Sequence, residues 1–194
     1  MYRVLLIGDS IRMGYEPFVR RELEGLAEVL GPEKNGGDSD NVLRNLPEWL
    51  ETFPADLVHL NCGLHDIKRP FGSSSNGIPR FQYADNLRQI FSHLVAHKIP
   101  VIWATSTPVD EKLHHQNKSF DRFEADLEHY NATALEACRE FGLEVDDLFG
   151  LIERAGKSAY LLDDGVHFKP EGYQLLGREV ARVIRAALEK LRLK

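Results

Sequence analysis

Cysteine is scarce: Cys62 and Cys138 are the only two in the 194-residue sequence, too few for a disulfide framework. Cys62 lies in an apolar strand-like run and Cys138 in a helical stretch, so both are expected as buried thiols. No apolar run approaches the roughly 20 residues that a membrane helix needs. Basic charge is in deficit as well, with 24 Lys and Arg against 30 Asp and Glu and a net charge of −6. Nucleic acid and anionic membranes both demand a basic face, so neither is an expected partner, and a small neutral or polar substrate fits better. Low-complexity tracts and internal repeats are also missing. The opening MYRVLLIGDS enters a short apolar strand at once, without the charged start and long apolar region of a secretory leader. That start predicts a cytoplasmic chain, although a leader trimmed away would leave the same one. Nothing in the sequence bears on oligomeric state.

What is present fits one ordinary domain over residues 1–194, large enough to bury a continuous core. Short apolar runs at Val4 to Ile7, Ala27 to Leu30, Leu57 to Leu60, Ile99 to Ala104 and Leu143 to Val145 alternate with segments of helical period. The first such segment carries Phe18, Val19, Leu23 and Leu26. Others are expected at Asn41 to Thr52, Phe81 to His97, Ser119 to Phe141 and Pro170 to Lys190. Nearly continuous apolar strands are the mark of a sheet covered on both faces, as in parallel α/β folds. Gly142 is a natural helix stop after Phe141, and Pro100 bars the preceding helix from running on. The one conspicuous loop, Pro70 to Pro79, is rich in turn formers; it reads as a solvated connection, or else as a wall of an active site.

In parallel α/β sheets ligands sit outside the carboxyl ends of the strands. Ser10, in Gly8-Asp9-Ser10 directly after the first strand, therefore falls at the mouth of that crevice. The helix start behind it offers backbone N–H groups to developing negative charge. Near the other end comes Asp164-Gly165-Val166-His167. Three residues across a glycine-containing turn let the carboxylate reach Nδ1 of the imidazole, leaving Nε2 free to accept a serine proton. Taken singly, Ser10 also reads as a helix cap and His167 as a surface residue. Asp163 stands one residue too early and is expected to cap or face solvent.

Together, GDS after the first strand and DGVHF-KPEGY opening the last helix resemble the first and last blocks of the SGNH/GDSL hydrolases, over nearly the whole chain. The resemblance implies a flavodoxin-like three-layer fold with about five parallel strands. It also implies carboxylic ester hydrolysis by a Ser10, His167 and Asp164 triad, with Asp9 in a supporting place. The family's oxyanion glycine maps to Gly37 in Asn35-Gly36-Gly37, where the following Asp38-Ser39-Asp40-Asn41 lacks a second glycine common in relatives. The block Gly-x-Asn-Asp appears as Gly63-Leu64-His65-Asp66, with histidine in place of asparagine. A neutral imidazole still offers one N–H donor, so the oxyanion hole is expected to be Ser10, Gly37 and His65, with Asp66 holding the loop. Acetyl esters of carbohydrates or other small polar alcohols are the first expectation for substrate, and lysophospholipids or thioesters are family alternatives. A noncatalytic module binding phosphate or sugar on the same fold is the rival reading. No cofactor is expected. His114 and His115, with Asp110 and Glu111, are expected to be solvated in a charged loop, and no spacing compels a metal. Trp103 and Tyr173 are expected to pack in the core and at its rim.

Overall fold

A computed structural model describes residues 1–193. Its elements are β1 (Tyr2–Ile7), α1 (Ser10–Glu22), β2 (Ala27–Leu30), α2 (Ser39–Thr52), β3 (Leu57–Leu60), β4 (Arg69–Pro70), α3 (Arg80–Ala96) and β5 (Val101–Ala104). They continue with α4 (Glu111–Asn117), β6 (Phe120–Asp121), α5 (Glu124–Phe141), β7 (Glu144–Asp146), α6 (Leu148–Ala155), α7 (Lys157–Tyr160) and α8 (Pro170–Arg192). Five parallel strands form the main sheet in the order β2-β1-β3-β5-β7. The step from β1 to β2 runs one way along the sheet and every later step runs the other. Crossovers are right-handed, so α1 covers one face with α8, while α2, α3 and α5 pack side by side on the other. This is the flavodoxin-like three-layer α/β architecture. The reversal between β1 and β3 opens a crevice at their carboxyl ends.

Burial on both faces explains the apolar strands: Val4 to Ile7 and Ile102 to Ala104 are at most 1% exposed, Trp103 among them. The polar residue within β3, His59, pairs with Asp146 of β7, with Nε2 and Oδ2 3.0 Å apart. On α8, Leu176, Val180, Ile184 and Leu188 recur at helical spacing and are buried, each contributing about 1.5–3 kcal/mol of apolar burial. The helix packs parallel to α1, where a Cβ at Gly177 would stand 2.5 Å from Phe18 Cβ and 3.0 Å from the Tyr15 carbonyl oxygen. Tyr173 lies against Gly14 at the same seam. This seam holds the starts of α1 and α8 side by side.

Several boundaries differ from expectation. Strand β5 begins at Val101 rather than Ile99 because Pro100 has no N–H to give the ladder. Helix α5 begins at Glu124 rather than Ser119 because β6 first pairs antiparallel with β4, Arg69 with Asp121 and Pro70 with Phe120, a long-range contact that no local signal announces. The short α4 falls in a segment read as a charged loop, and α6 and α7 fall where no element was expected. Asp110 caps α4, accepting from Leu113 N–H at 2.9 Å, which corrects the solvated-loop reading of Asp110, Glu111, His114 and His115. His115 is indeed exposed, but His114 is fully buried. Both cysteines are buried and free. No helix among the described residues is long and apolar enough to cross a membrane.

Candidate active site

Strand β1 delivers Ser10 to the crevice, and the start of α1 sets its surroundings. Asp9 is the N-cap: its Oδ1 accepts from Ile11 N–H at 2.9 Å. Burial pushes the Asp9 carboxyl above its ordinary range, against the Ile11 hydrogen bond and the nearby cations Arg122 and Arg12. Asp9 engages the N–H of Ile11, and the N–H of Ser10 has no partner among the described residues, as the first donors of a helix have none within the helix.

The segment after α7 brings the base. Leu162 N–H bonds to the His167 carbonyl at 2.8 Å, and Gly165 N–H to the Leu162 carbonyl at 3.0 Å, closing a tight loop. Gly165 has φ +68°, and a Cβ there would stand 2.4 Å from the Asp110 carbonyl oxygen, so glycine is required on both counts. Across this turn Asp164 Oδ1 accepts the backbone N–H groups of Val166 (3.1 Å) and His167 (2.9 Å). Its Oδ2 faces His167 Nδ1 at 2.6 Å and accepts from Lys118 Nζ at 2.8 Å. Burial works against ionisation of Asp164, but the hydrogen bonds from Lys118, His167 and the two backbone groups outweigh it and hold the carboxyl well below the usual carboxylate range. A carboxylate at Nδ1 keeps the ring proton there and leaves Nε2 as an acceptor. Nε2 lies 2.9 Å from Ser10 Oγ. Ser10, His167 and Asp164 are thus in one hydrogen-bonded line, while Asp163 is exposed and its backbone carbonyl accepts from Asn117.

A cavity of about 300 Å³ opens beside this line, lined among others by Ser10, Asn35, Leu64, His65, Phe120 and His167. The His65 ring faces it without a hydrogen-bond partner among the described residues; burial, with the charges of Lys68 and Arg122, pulls its pKa down to about 3. The ring is therefore neutral across the ordinary pH range and has one N–H to offer. Gly37 is placed less favourably. Its N–H donates to Asn35 Oδ1 at 2.8 Å, so in this structure that donor is engaged by a side chain that itself lines the cavity. Gly36 N–H bonds the Gly8 carbonyl at 2.9 Å, clasping this loop to the one carrying Ser10. Asp66 stands behind His65, accepting from Ser39 N–H and Oγ; burial raises it to about 7 against those hydrogen bonds.

Lys118, Arg122 and Lys68 carried no local signal in the sequence, because each reaches the cavity through tertiary folding, whereas Asn35 stood in the motif that marked Gly37. Arg122 is buried, with Nε donating to the Leu64 carbonyl and Nη1 to His114 Nε2 at 2.9 Å. Burial first, then Arg122 and Lys118, pull His114 down to about 4, which keeps it neutral and able to accept. No residue of the 70–79 loop lines this cavity, so that loop is not the wall considered from its composition. No cluster of three or more potential metal ligands occurs among the described residues.

Residues 6–175 match the GDSL-like lipase/acylhydrolase family. The GDSL esterase/lipase CPRD49 of Arabidopsis thaliana is 32% identical over 152 residues, 71% of this chain, which spans only 59% of the plant protein's length. The isoamyl acetate-hydrolyzing esterase 1 homolog of Homo sapiens is 27% identical over 192 residues, 90% of this chain and 77% of the human one. Among solved structures, the lipase/acylhydrolase from Enterococcus faecalis superimposes with a TM-score of 0.82 at 22% identity, covering 96% of this chain and 97% of its own.

Proposed function

The chain belongs to the GDSL-like lipase/acylhydrolase family, and we propose that it is a serine esterase cleaving short acyl esters of small polar alcohols, acting as one domain over residues 1–194. The single observation that carries this reading is the line from Asp164 through His167 to Ser10, with Nε2 2.9 Å from Oγ. His167 takes the Ser10 proton as Oγ attacks the ester carbonyl, and Asp164 orients the ring and stabilises the imidazolium. The oxyanion meets the unpaired Ser10 N–H and the neutral His65 ring; Gly37 joins them once the Asn35 amide turns away. His167 then returns its proton to the leaving alcohol, and water, activated by the same base, hydrolyses the acyl-serine. The volume of the cavity supports a small substrate, and the human relative is named for an acetate ester, so acetyl is the acyl group proposed first and an acetylated carbohydrate the first substrate. Release of 4-nitrophenol from 4-nitrophenyl acetate by the purified protein, with one equivalent of a fluorophosphonate bound at Ser10, tests the reading; a folded protein that does neither is the binding module instead.

The rate should rise with pH between about 5 and 8, since only a neutral histidine base accepts a proton. His65, at about 3, and Asp164, well below the usual carboxylate range, are silent in that window, so the rise should have the slope of one group. Asp66, at about 7, is the competing titration, and an unchanged rise in Asp66→Asn separates the two. A flat profile from pH 5 to 8 with an intact fold rules out a histidine base.

For the family's missing asparagine, His65→Ala should lower kcat by about 10²- to 10³-fold, the usual loss for one oxyanion donor. His65→Asn should retain more of the rate. Equal rates for wild type and His65→Ala reduce His65 to a structural part.

A further inference from the structure

Although the chain carries a net charge of −6, the cavity beside Ser10 is lined by three cationic side chains, Lys68, Lys118 and Arg122. Lys118 is already engaged by Asp164. Neither Lys68 nor Arg122 has a carboxylate within 4 Å among the described residues, and the Lys68 ammonium has no hydrogen-bond partner among them. The one acid lining the cavity, Asp9, is 1% exposed and faces inward to the helix start. The Phe120 ring lies near both cations, its centroid 5.1 Å from Lys68 Nζ and 5.0 Å from Arg122 Cζ. A shared aromatic face attracts cations but does not neutralise them. Burial, and then Arg122 beside it, pull the Lys68 ammonium below its ordinary value, the mark of a charge held partly out of water next to a like charge. Arg122 earns its burial structurally, by fixing the Leu64 carbonyl next to His65. The Lys68 ammonium fixes nothing among the described residues.

We propose that this wall receives a negatively charged group of the substrate: the ester cleaved at Ser10 carries a carboxylate, sulfate or phosphate that pairs with Lys68, supported by Arg122. The inference rests on the esterase reading and narrows it from small polar esters to small anionic ones. In a cavity of about 300 Å³ the anion and the scissile carbonyl belong to one compact molecule, and the charge sits on either its acyl or its alcohol side.

Two matched pairs of esters separate those sides. Mono-4-nitrophenyl glutarate against 4-nitrophenyl valerate places the charge on the acyl group, and 3-acetoxybenzoate against its methyl ester places it on the alcohol. At low ionic strength the anionic member of at least one pair should have a kcat/KM about tenfold higher, an advantage that salt screens. Lys68→Met should reduce the anionic-to-neutral ratio of that pair about tenfold through KM, and Lys68→Arg should restore much of it. The inference is overturned if neutral esters are cleaved while neither anionic ester is preferred. It is equally overturned if Lys68→Met lowers kcat alike for both members, which would make Lys68 a helper of the oxyanion. If no ester is cleaved the esterase reading fails, and calorimetric titration with glutarate and 3-hydroxybenzoate decides the anion site alone. Binding by wild type that Lys68→Met weakens upholds it, and no binding of either overturns it.

Discussion

Ser10→Ala is expected to lower kcat on 4-nitrophenyl acetate by on the order of 10⁶-fold, the scale of nucleophile removal in the subtilisin triad, while leaving the thermal midpoint nearly unchanged. Both parts follow from where Ser10 sits. Its Oγ makes one hydrogen bond, to His167 Nε2, and the start of α1 is capped by Asp9 rather than by Ser10, so removing the hydroxyl costs the helix nothing it depends on. Catalysis loses the atom that forms the acyl-enzyme. The variant keeps the unpaired N–H of residue 10 and the His65 ring, and should retain the weak acceleration that oxyanion donors supply without a nucleophile. Adding His167→Ala to Ser10→Ala should cost little more, because a base without its nucleophile has nothing to activate. Rates of wild type, the two single variants and the double variant, with melting curves for each, test the whole set. A Ser10→Ala protein near the wild-type rate would remove Ser10 from the mechanism, and two additive losses would show that Ser10 and His167 do not act together.

The fold was legible because burial on both faces writes the strands as apolar runs and the helices as periodic ones. Each main strand was found within two residues, and the shifts at Ile99 and Leu143 are those that ladder hydrogen bonding decides rather than hydrophobicity. The triad segments were legible for a related reason: a turn that returns a carboxylate to its own imidazole is local, spanning Asp164 to His167, and a serine at the end of β1 inherits its place from the topology of any such sheet. The cavity wall was not legible. Lys118 reaches Asp164 only because α4 forms and ends there, Arg122 is buried only because His114 is buried to receive it, and Lys68 faces Phe120 only because β4 pairs with β6. The net charge of −6 pointed to a neutral partner, and a sum over the chain does not record the three cations, gathered from separate loops, that line the cavity. Gly37 shows the converse: its family pattern was legible, but its N–H is engaged by Asn35, a contact between neighbours that a pattern does not record.

Of the two adjacent acids before His167, only Asp164 should matter, and Asp164→Asn should lower kcat by up to about 10⁴-fold, as the equivalent change does in the chymotrypsin-type triad. Four donors converge on this carboxylate: the N–H groups of Val166 and His167 on Oδ1, and the His167 ring and Lys118 on Oδ2. An asparagine has a single oxygen. The two backbone donors are fixed by the turn at Gly165 and retain that oxygen, so the NH₂ group replaces Oδ2 and meets Nδ1 of the ring and the ammonium of Lys118. A donor facing Nδ1 favours the tautomer with its proton on Nε2, where it can no longer accept from Ser10, and it offers Lys118 no acceptor. Stability should respond separately. Because the Asp164 carboxyl is held below its ordinary value in the folded state, its contribution is present above an unfolded pKa of about 3.9 and is lost as pH falls further. Asp164→Asn should therefore lower the melting temperature at pH 7 and narrow its gap to wild type in acid. Asp163 is exposed and uses only its backbone carbonyl, toward Asn117, so Asp163→Asn should leave kcat within about twofold, the small effect usual for surface substitutions. Both variants measured on one ester at one pH, with circular dichroism to confirm the fold, settle the assignment. A large loss at Asp163 beside a near-normal Asp164→Asn enzyme would move the orienting acid one residue toward the N-terminus, against the geometry of the turn.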